Sequence, residues 1–325
     1  MTSIRLVNPH NQQSLRRENR GYIEINSGKL IAPIINGIPR FVAASDNYAH
    51  SFGFQWNHWH NSLSESRGSS VKHIELIYSR TGFDKLPVEG KTLLECGMGG
   101  GDDTEALLTL PFKEIHSFDI SNSVERAKKY LEDKRLTISQ ASIYEIPYPD
   151  EAFDFVFCHR VIMHTPDPQK AIDCICNKLK PGGFLFIHSY KRSPEYMREF
   201  RYKYRPWVSK LPKRLVYMYV NLFGWPMHLA STMMNRLGTK ARSFRHQYLP
   251  WYFVQASGEY RNMNTKQRIE LEKMITFDAL TPAYDNPMTT DELINALKRN
   301  NISIVSLEDG MISPVYATGQ KATTK

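Results

Sequence analysis

The chain has 325 residues, enough for one large domain with an extension or for two smaller domains, and with 41% hydrophobic and 23% charged residues it suits a globular α/β protein and not a disordered one. Its formal net charge is +9, but 13 Lys and Arg against two Asp and Glu lie between Tyr190 and Pro250, so that stretch carries +11 and the remainder is slightly acidic. A cationic surface over the whole molecule is therefore excluded, and a negatively charged partner would meet that one segment.

The opening MTSIRLVNPH has no apolar signal core, which predicts a cytoplasmic protein. Next, GYIEINSGKLIAPIINGIPRFV predicts short strands turning at Ser27-Gly28 and Asn36-Gly37. NYAHSFGFQWNHWH (47–60) predicts a helix with Tyr48, Phe52 and Trp56 on one face, at i, i+4 and i+8. Residues 61–85 predict another, with Val71, Ile74, Ile77 and Tyr78 on its apolar face. From Lys91 the pattern repeats as strand, turn and helix. KTLLEC (91–96) leads to a glycine turn and a helix through Leu110, and EIHSFDI (114–120) to a helix over 122–134. LTISQAS (136–142) and FDFVFCH (153–159) follow, then a helix over 167–180, a turn at Pro181-Gly182-Gly183, and FLFIHSY (184–190). A helix near 290–300, with Thr289 and Glu292 at capping-box spacing, precedes ISIVSL (302–307) and ISPVYAT (312–318). The alternation predicts a Rossmann-like, mainly parallel seven-stranded sheet with helices on both faces, an N-terminal extension and a helical insert after the fifth strand. The expected boundaries are 1–60 for the extension, 61–190 for the core, 191–276 for the insert and 277–325 for the completion of the sheet.

The glycine turn is the chemical centre. Gly97, Gly99 and Gly101 allow backbone angles and a close approach that a Cβ would forbid. A dinucleotide fingerprint needs Gly or Ala where Asp102 stands, and an acid there opposes a pyrophosphate. S-adenosylmethionine (SAM) has no phosphate and carries an ammonium, so Glu95 and Asp102 favour SAM over NAD. Asp119, ending the second strand, is placed to accept both hydroxyls of a ribose, with a plain helix cap as the alternative.

Over Lys91–Tyr190 the chain resembles the class I SAM-dependent methyltransferases. ECGMGGG is similar to the acidic-x-Gly-x-Gly-x-Gly motif, FDIS to the second motif, YEIPYPDEAFDFVFCHRVIMHTPDP to the segment around the fourth strand, and LKPGGFLFI to the turn before the fifth. The resemblance implies SAM as cofactor, held by Glu95, Gly97, Gly99, Gly101, Asp119 and Ile120. The family often has Asp after the third strand for the adenine amine; here Ser142 stands there, and it lines the adenine site with Ile143. NGIPRFV, NYAHSFGFQW, YKYRPWVSKLPKRLVY (202–217) and FDALTPAYDNPMTTDEL (277–293) resemble methyltransferases of surface-glycan and natural-product pathways. Some of those open on a zinc-ribbon-like element. Here VNPHN stands where its cysteines would be, so the extension reads as a degenerate ribbon with no metal. Cys96, Cys158, Cys174 and Cys176 form no CxxC pair and read as core thiols.

The implied reaction is methyl transfer to a small-molecule or glycan acceptor at a hydroxyl; N- or C-methylation of a natural-product intermediate and a non-catalytic SAM-binding protein are the alternatives. His164 is the candidate base, or an orienter of its loop. His159 is expected to line the cofactor site, and Gln55 and Trp56 to touch the cofactor from an aromatic lid, with a core stripe as the bland reading. Tyr190 and Tyr284 are candidate substrate contacts, or packing residues.

In the insert, Leu215–Asn235 is uncharged between Arg214 and Arg236 and approaches a membrane span in length. Asn221, Gly224, Pro226, His228, Ser231 and Thr232 interrupt it. Three readings stay open: a substrate lid, an amphipathic element resting on the inner face of an anionic membrane, and an oligomer contact. The lid is favoured, with an anionic or lipid-linked acceptor. No nucleic-acid motif accompanies the basic and aromatic residues, so no such partner is expected.

Overall fold

The computed structural model describes residues 4–43, 47–59, 70–310 and 314–323. The chain divides into two compact units: Met1–Tyr48, Leu76–Lys191 and Tyr284–Lys325 in the first, Ala49–Glu75 and Arg192–Ala283 in the second.

The first unit opens on an antiparallel meander of β1 (Leu15–Glu18), β2 (Gly21–Glu24), β3 (Leu30–Ile35) and β4 (Ile38–Pro39), paired in chain order. The turn expected at Asn36-Gly37 is present, both residues having positive φ (54° and 75°), as a tight hairpin requires. VNPHN ties both asparagines to Glu24: Asn8 and Asn11 each donate to its carboxylate at 2.8 Å, and Ser27 donates to the other oxygen. The Ser27 bond, then the two asparagines, hold the Glu24 pKa down to about 2.

Two helices follow, α1 (His50–His58) and α2 (Ser70–Thr81), and both correct the sequence expectation. Ala49, at φ −102° and ψ 26°, breaks helical geometry, so Tyr48 stands in the preceding turn and not on the helix. The side of α1 that is buried carries Ser51, Gly53 and Gln55, while Phe52 and Trp56 are partly exposed. On α2 the buried line is His73, Ile77 and Thr81, and Val71 is exposed. Polar residues can hold an inner position when satisfied: the Thr81 hydroxyl donates to the Ile77 carbonyl (2.9 Å) and accepts from Phe83 N–H (3.1 Å). Residues 61–69 of the expected second helix lie outside the described residues.

The chain continues through β5 (Thr92–Cys96), α3 (Asp102–Leu108), β6 (Glu114–Asp119), α4 (Val124–Tyr130), β7 (Leu136–Gln140), β8 (Phe153–Cys158), α5 (Pro168–Asn177) and β9 (Leu179–Ser189). The insert carries α6 (Phe200–Val208), α7 (Lys213–Arg236), α8 (Thr239–Tyr248) and α9 (Thr265–Leu280). Finally α10 (Thr290–Arg299), β10 (Ile302–Asp309) and β11 (Val315–Lys321) complete the first unit. The expected capping box opens α10: Thr289 Oγ1 accepts from Glu292 N–H (3.1 Å), and the Glu292 carboxylate from Thr289 N–H (2.8 Å).

The seven-stranded sheet runs β10-β11-β9-β8-β5-β6-β7. Its strands from β7 to β9 pair in parallel, and β11 is antiparallel to both neighbours. This is the mainly parallel, Rossmann-like sheet read from the sequence. Alternation along β8 divides the core. Phe155 meets Phe83 and Phe112 edge-on (5.2 and 5.3 Å between centroids), whereas Val156 and Cys158 join Leu94, Cys96, Leu185 and Ile187 with residues of α5 and α10. One detail departs from expectation: Lys180–Gly183 is not a turn ahead of a strand. Leu179 already pairs with Phe153, the register then shifts, and pairing resumes at Phe155↔Phe184, so the glycines form a bulge inside β9. A Cβ on Gly183 would stand 2.7 Å from the Asp154 carbonyl, which explains the glycine.

In the second unit α7 packs along α9. Val216 and Val220 meet Trp251, Met274 and Phe277 in its apolar core, and a Cβ on Gly224 would lie 2.6 Å from Lys273 Cε. At the centre the Glu272 carboxylate, fully buried, accepts from His228 Nδ1 (3.0 Å), Trp251 Nε1 (2.9 Å) and Val254 N–H (2.9 Å). Among the described residues no helix is long and apolar enough to cross a membrane.

Candidate active site

β5 has β6 on one side and β8 on the other, so the strand order reverses beside it. The crevice outside the carboxyl ends of strands at such a point is where open α/β sheets hold ligands. The turn leaving β5 lies there. Its glycines are all left-handed, with φ of 77° at Gly97, 53° at Gly99 and 94° at Gly101. Gly97 and Met98 N–H donate to the Phe118 carbonyl (2.8 and 3.0 Å), tying the turn to β6. A Cβ on Gly97 would interpenetrate the Val161 methyls, and one on Gly101 would reach 2.7 Å from Leu131 Cδ1.

Two carboxyls flank this turn. Glu95, on the fully buried β5, accepts through Oε2 from Thr104 Oγ1 (2.7 Å) and Ser117 Oγ (2.6 Å). Its Oε1 has no hydrogen-bond partner among the described residues, and burial pushes its pKa up to about 8. Asp119 accepts from Gly99 N–H (2.9 Å) on one oxygen and from Ser121 N–H (2.8 Å) on the other, with the Ser121 and Ser123 hydroxyls also bonding the carboxylate; burial nonetheless raises its pKa. A turn without side chains, an unsatisfied buried carboxyl oxygen and a second carboxylate at the end of β6 fit a cationic nucleoside and suit SAM. Asp102 lies 3.8 Å from Arg126, which also donates to the Gly100 carbonyl at 2.8 Å, so this acid is engaged within the turn. Ile120 and Ser142 are half-buried, and Ser142 Oγ accepts from Tyr144 N–H at 3.2 Å. Ile143 is packed in the main core cluster. Gln55 and Trp56 belong to α1, in the second unit.

Beyond β8 the sequence candidates meet residues it did not single out. His159 is buried, with Nδ1 2.7 Å from Asp103 Oδ2; burial, then the Arg160 charge, lowers its pKa to about 3. Arg160 adopts φ 61°, strained for a side chain of that size, and its N–H donates to His188 Nδ1 at 3.1 Å. Nε2 of the buried His188 has no partner among the described residues, and its ring stacks on Tyr316 at 4.8 Å. Arg80 lies over the same Tyr316 ring, 4.6 Å from its centroid. His164 is buried and donates from Nδ1 to the Tyr284 carbonyl (3.1 Å), while Tyr190 meets its ring edge-on at 5.6 Å. Tyr284 in turn meets Tyr48 edge-on at 5.8 Å, and burial with nearby Tyr144 and Asp119 raises the Tyr48 pKa. His164, Tyr190, Tyr284 and Tyr48 thus gather in one place. The period-2 pattern of FLFIHSY signals His188 on the Phe186 face; nothing in the sequence links Arg80 or Asp103 to it.

Residues 94–187 match the model of the family described as a methyltransferase domain. A ubiquinone biosynthesis O-methyltransferase of Coxiella burnetii is 34% identical over 112 residues, covering 34% of this chain and 47% of that protein. A phosphoethanolamine N-methyltransferase of Caenorhabditis elegans is 30% identical over 107 residues, covering 31% of this chain and 24% of that one. The chain thus spans about half the length or less of these curated relatives. A solved SAM-dependent methyltransferase from Mesorhizobium loti aligns with a TM-score of 0.46 at 13% identity, over 79% of this chain and 100% of that one. The glycine turn, the two carboxyls beside it, the sheet order and the family match lead to one identification: residues 94–187 of this chain match the methyltransferase-domain family, within a Rossmann-like sheet whose glycine turn suits SAM.

Proposed function

We propose that this chain transfers a methyl group from SAM to a hydroxyl of a small-molecule or glycan acceptor, with His164 receiving the hydroxyl proton. Glu95, Gly97, Gly99, Gly101 and Asp119 hold the cofactor, whose sulfonium supplies an electrophilic methyl. The observation that carries the role of His164 is its bond to the Tyr284 carbonyl. Donation from Nδ1 fixes the tautomer, so Nε2 bears the lone pair that takes a proton. Tyr190 and Tyr284 orient the acceptor beside it. A hydroxyl acceptor accords with the O-methyltransferase relative, and a nitrogen acceptor, favoured by the N-methyltransferase relative, is the second reading.

Calorimetric titration with SAM, joined to turnover against a panel of hydroxyl and amine acceptors, tests this. Asp119→Ala is expected to weaken SAM binding at least tenfold, because a ribose loses both acceptor oxygens. His164→Ala is expected to lower turnover on the order of a hundredfold with SAM affinity nearly unchanged. Undiminished SAM binding by Asp119→Ala refutes the cofactor site; undiminished turnover by His164→Ala removes the base and leaves that residue a loop support.

A further inference from the structure

The long helix α7 is turned inside out. Its inner line, facing α9, consists of Val216, Val220, Gly224, His228 and Ser231, of which only the first two are sizeable apolar residues. On the opposite side stand Leu215, Met218, Leu222, Trp225, Leu229 and Met233, each more than half exposed, with Leu222 at 73%. At 3.6 residues per turn these six fall within about 80° of one another, a continuous apolar stripe. The bland account, an apolar face turned toward its own core, is contradicted by the exposures, and a stripe of this length marks a contact surface.

The charges around the stripe say what it meets. Ten Lys and Arg and no Asp or Glu lie between Phe200 and Gly258. Lys210 and Arg214 are exposed near the start of α7, and Arg236, Lys240 and Arg242 near its end, so cations bracket the stripe while none interrupts it. Trp207, 75% exposed, adds an aromatic ring of the kind that settles at a lipid–water boundary. A second copy of the chain fits poorly, since a symmetric pairing of two such helices sets one cationic rim against another. A bilayer presents anionic headgroups at the level of the rim and hydrocarbon at the level of the stripe.

We infer that α7 is a membrane-docking helix, lying flat on an anionic phospholipid surface with its Leu, Met and Trp stripe in the headgroup–acyl boundary. This goes beyond the methyl-transfer reading and does not depend on it. The full chain should float with vesicles of phosphatidylcholine and phosphatidylglycerol and stay at the bottom with phosphatidylcholine alone. Leu222→Asp with Trp225→Asp should abolish flotation, and the exposure of both sites keeps the fold, checked by an unchanged melting temperature. Arg236→Glu with Lys240→Glu should weaken partitioning by at least about fivefold per residue. Three results overturn the inference: a wild-type chain that does not float with anionic vesicles, a double-Asp variant that floats like wild type, or a wild-type dimer that the double-Asp variant splits.

Discussion

Val161 and Gly97 form a lock that sets the shape of the cofactor turn, and a double-mutant cycle reads its strength. Gly97 sits at φ 77°, where an alanine is strained by about 1–2 kcal/mol, and its added Cβ runs into both Val161 methyls. Overpacking of that kind adds roughly 1–3 kcal/mol, so Gly97→Ala should cost about 3 kcal/mol. Val161→Ala removes two methyls from a half-buried side chain, for about 1–1.5 kcal/mol. It leaves the Val161 Cβ 3.2 Å from the position of the new methyl, tight but tolerable. The clash then disappears in the double variant while the φ strain stays. The double variant should therefore be about 1–2 kcal/mol more stable than the sum of the single changes predicts, measured by urea unfolding at constant slope. SAM affinity should recover only in part, because the turn keeps its strained residue. Additivity of the three variants within about 0.5 kcal/mol would refute the lock.

Glu95 should make folding and cofactor binding depend on pH. Its folded pKa, raised from 4.5 to about 8, means that the folded chain holds a proton the unfolded chain releases, so its contribution to stability falls as pH rises from 4.5 toward 8. An ammonium brought to its free oxygen reverses that preference. SAM binding near pH 7 should expel a proton in wild type and none in Glu95→Gln, seen by calorimetry in buffers of different ionisation enthalpy; equal proton counts would defeat the reasoning. In the second unit, Glu272→Ala deprives three buried donors of their acceptor at once. A loss of about 3 kcal/mol or more is expected in urea unfolding, and a loss below about 1 kcal/mol would show the network to be dispensable.

What the sequence made legible is what local chemistry decides. Thr289 and Glu292 cap α10 at the spacing that announces them, and Asn36-Gly37 turns as such pairs turn. The turn at Gly97–Gly101 was readable because positive φ demands glycine, and Asp119 does end β6, where its carboxylate accepts from Gly99 N–H. The misreadings come from tertiary context. Apolar spacing alone nominated Val71, whereas a satisfied threonine and a histidine took the inner line of α2. Pro181-Gly182-Gly183 looks like a turn, yet the backbone stays paired on both sides of the bulge because β8 approaches too closely for any side chain at Gly183. The group formed by His159, Asp103, Arg160 and His188 is assembled from three separate elements, and no spacing along the chain encodes it.

The reversed strand β11 is an inner strand, with β9 on one flank and β10 on the other. Its ladder joins Val315 to Ser189 across the whole insert. Such a pairing closes a very large loop, which makes it slow to form. While a ribosome is still producing the insert, β9 therefore has a bare edge, ready to recruit another extended segment. Growing chains of this protein should need shielding at that edge until β11 arrives, and a chain cut before Val315 would lose the strand that joins β10 to the rest of its sheet.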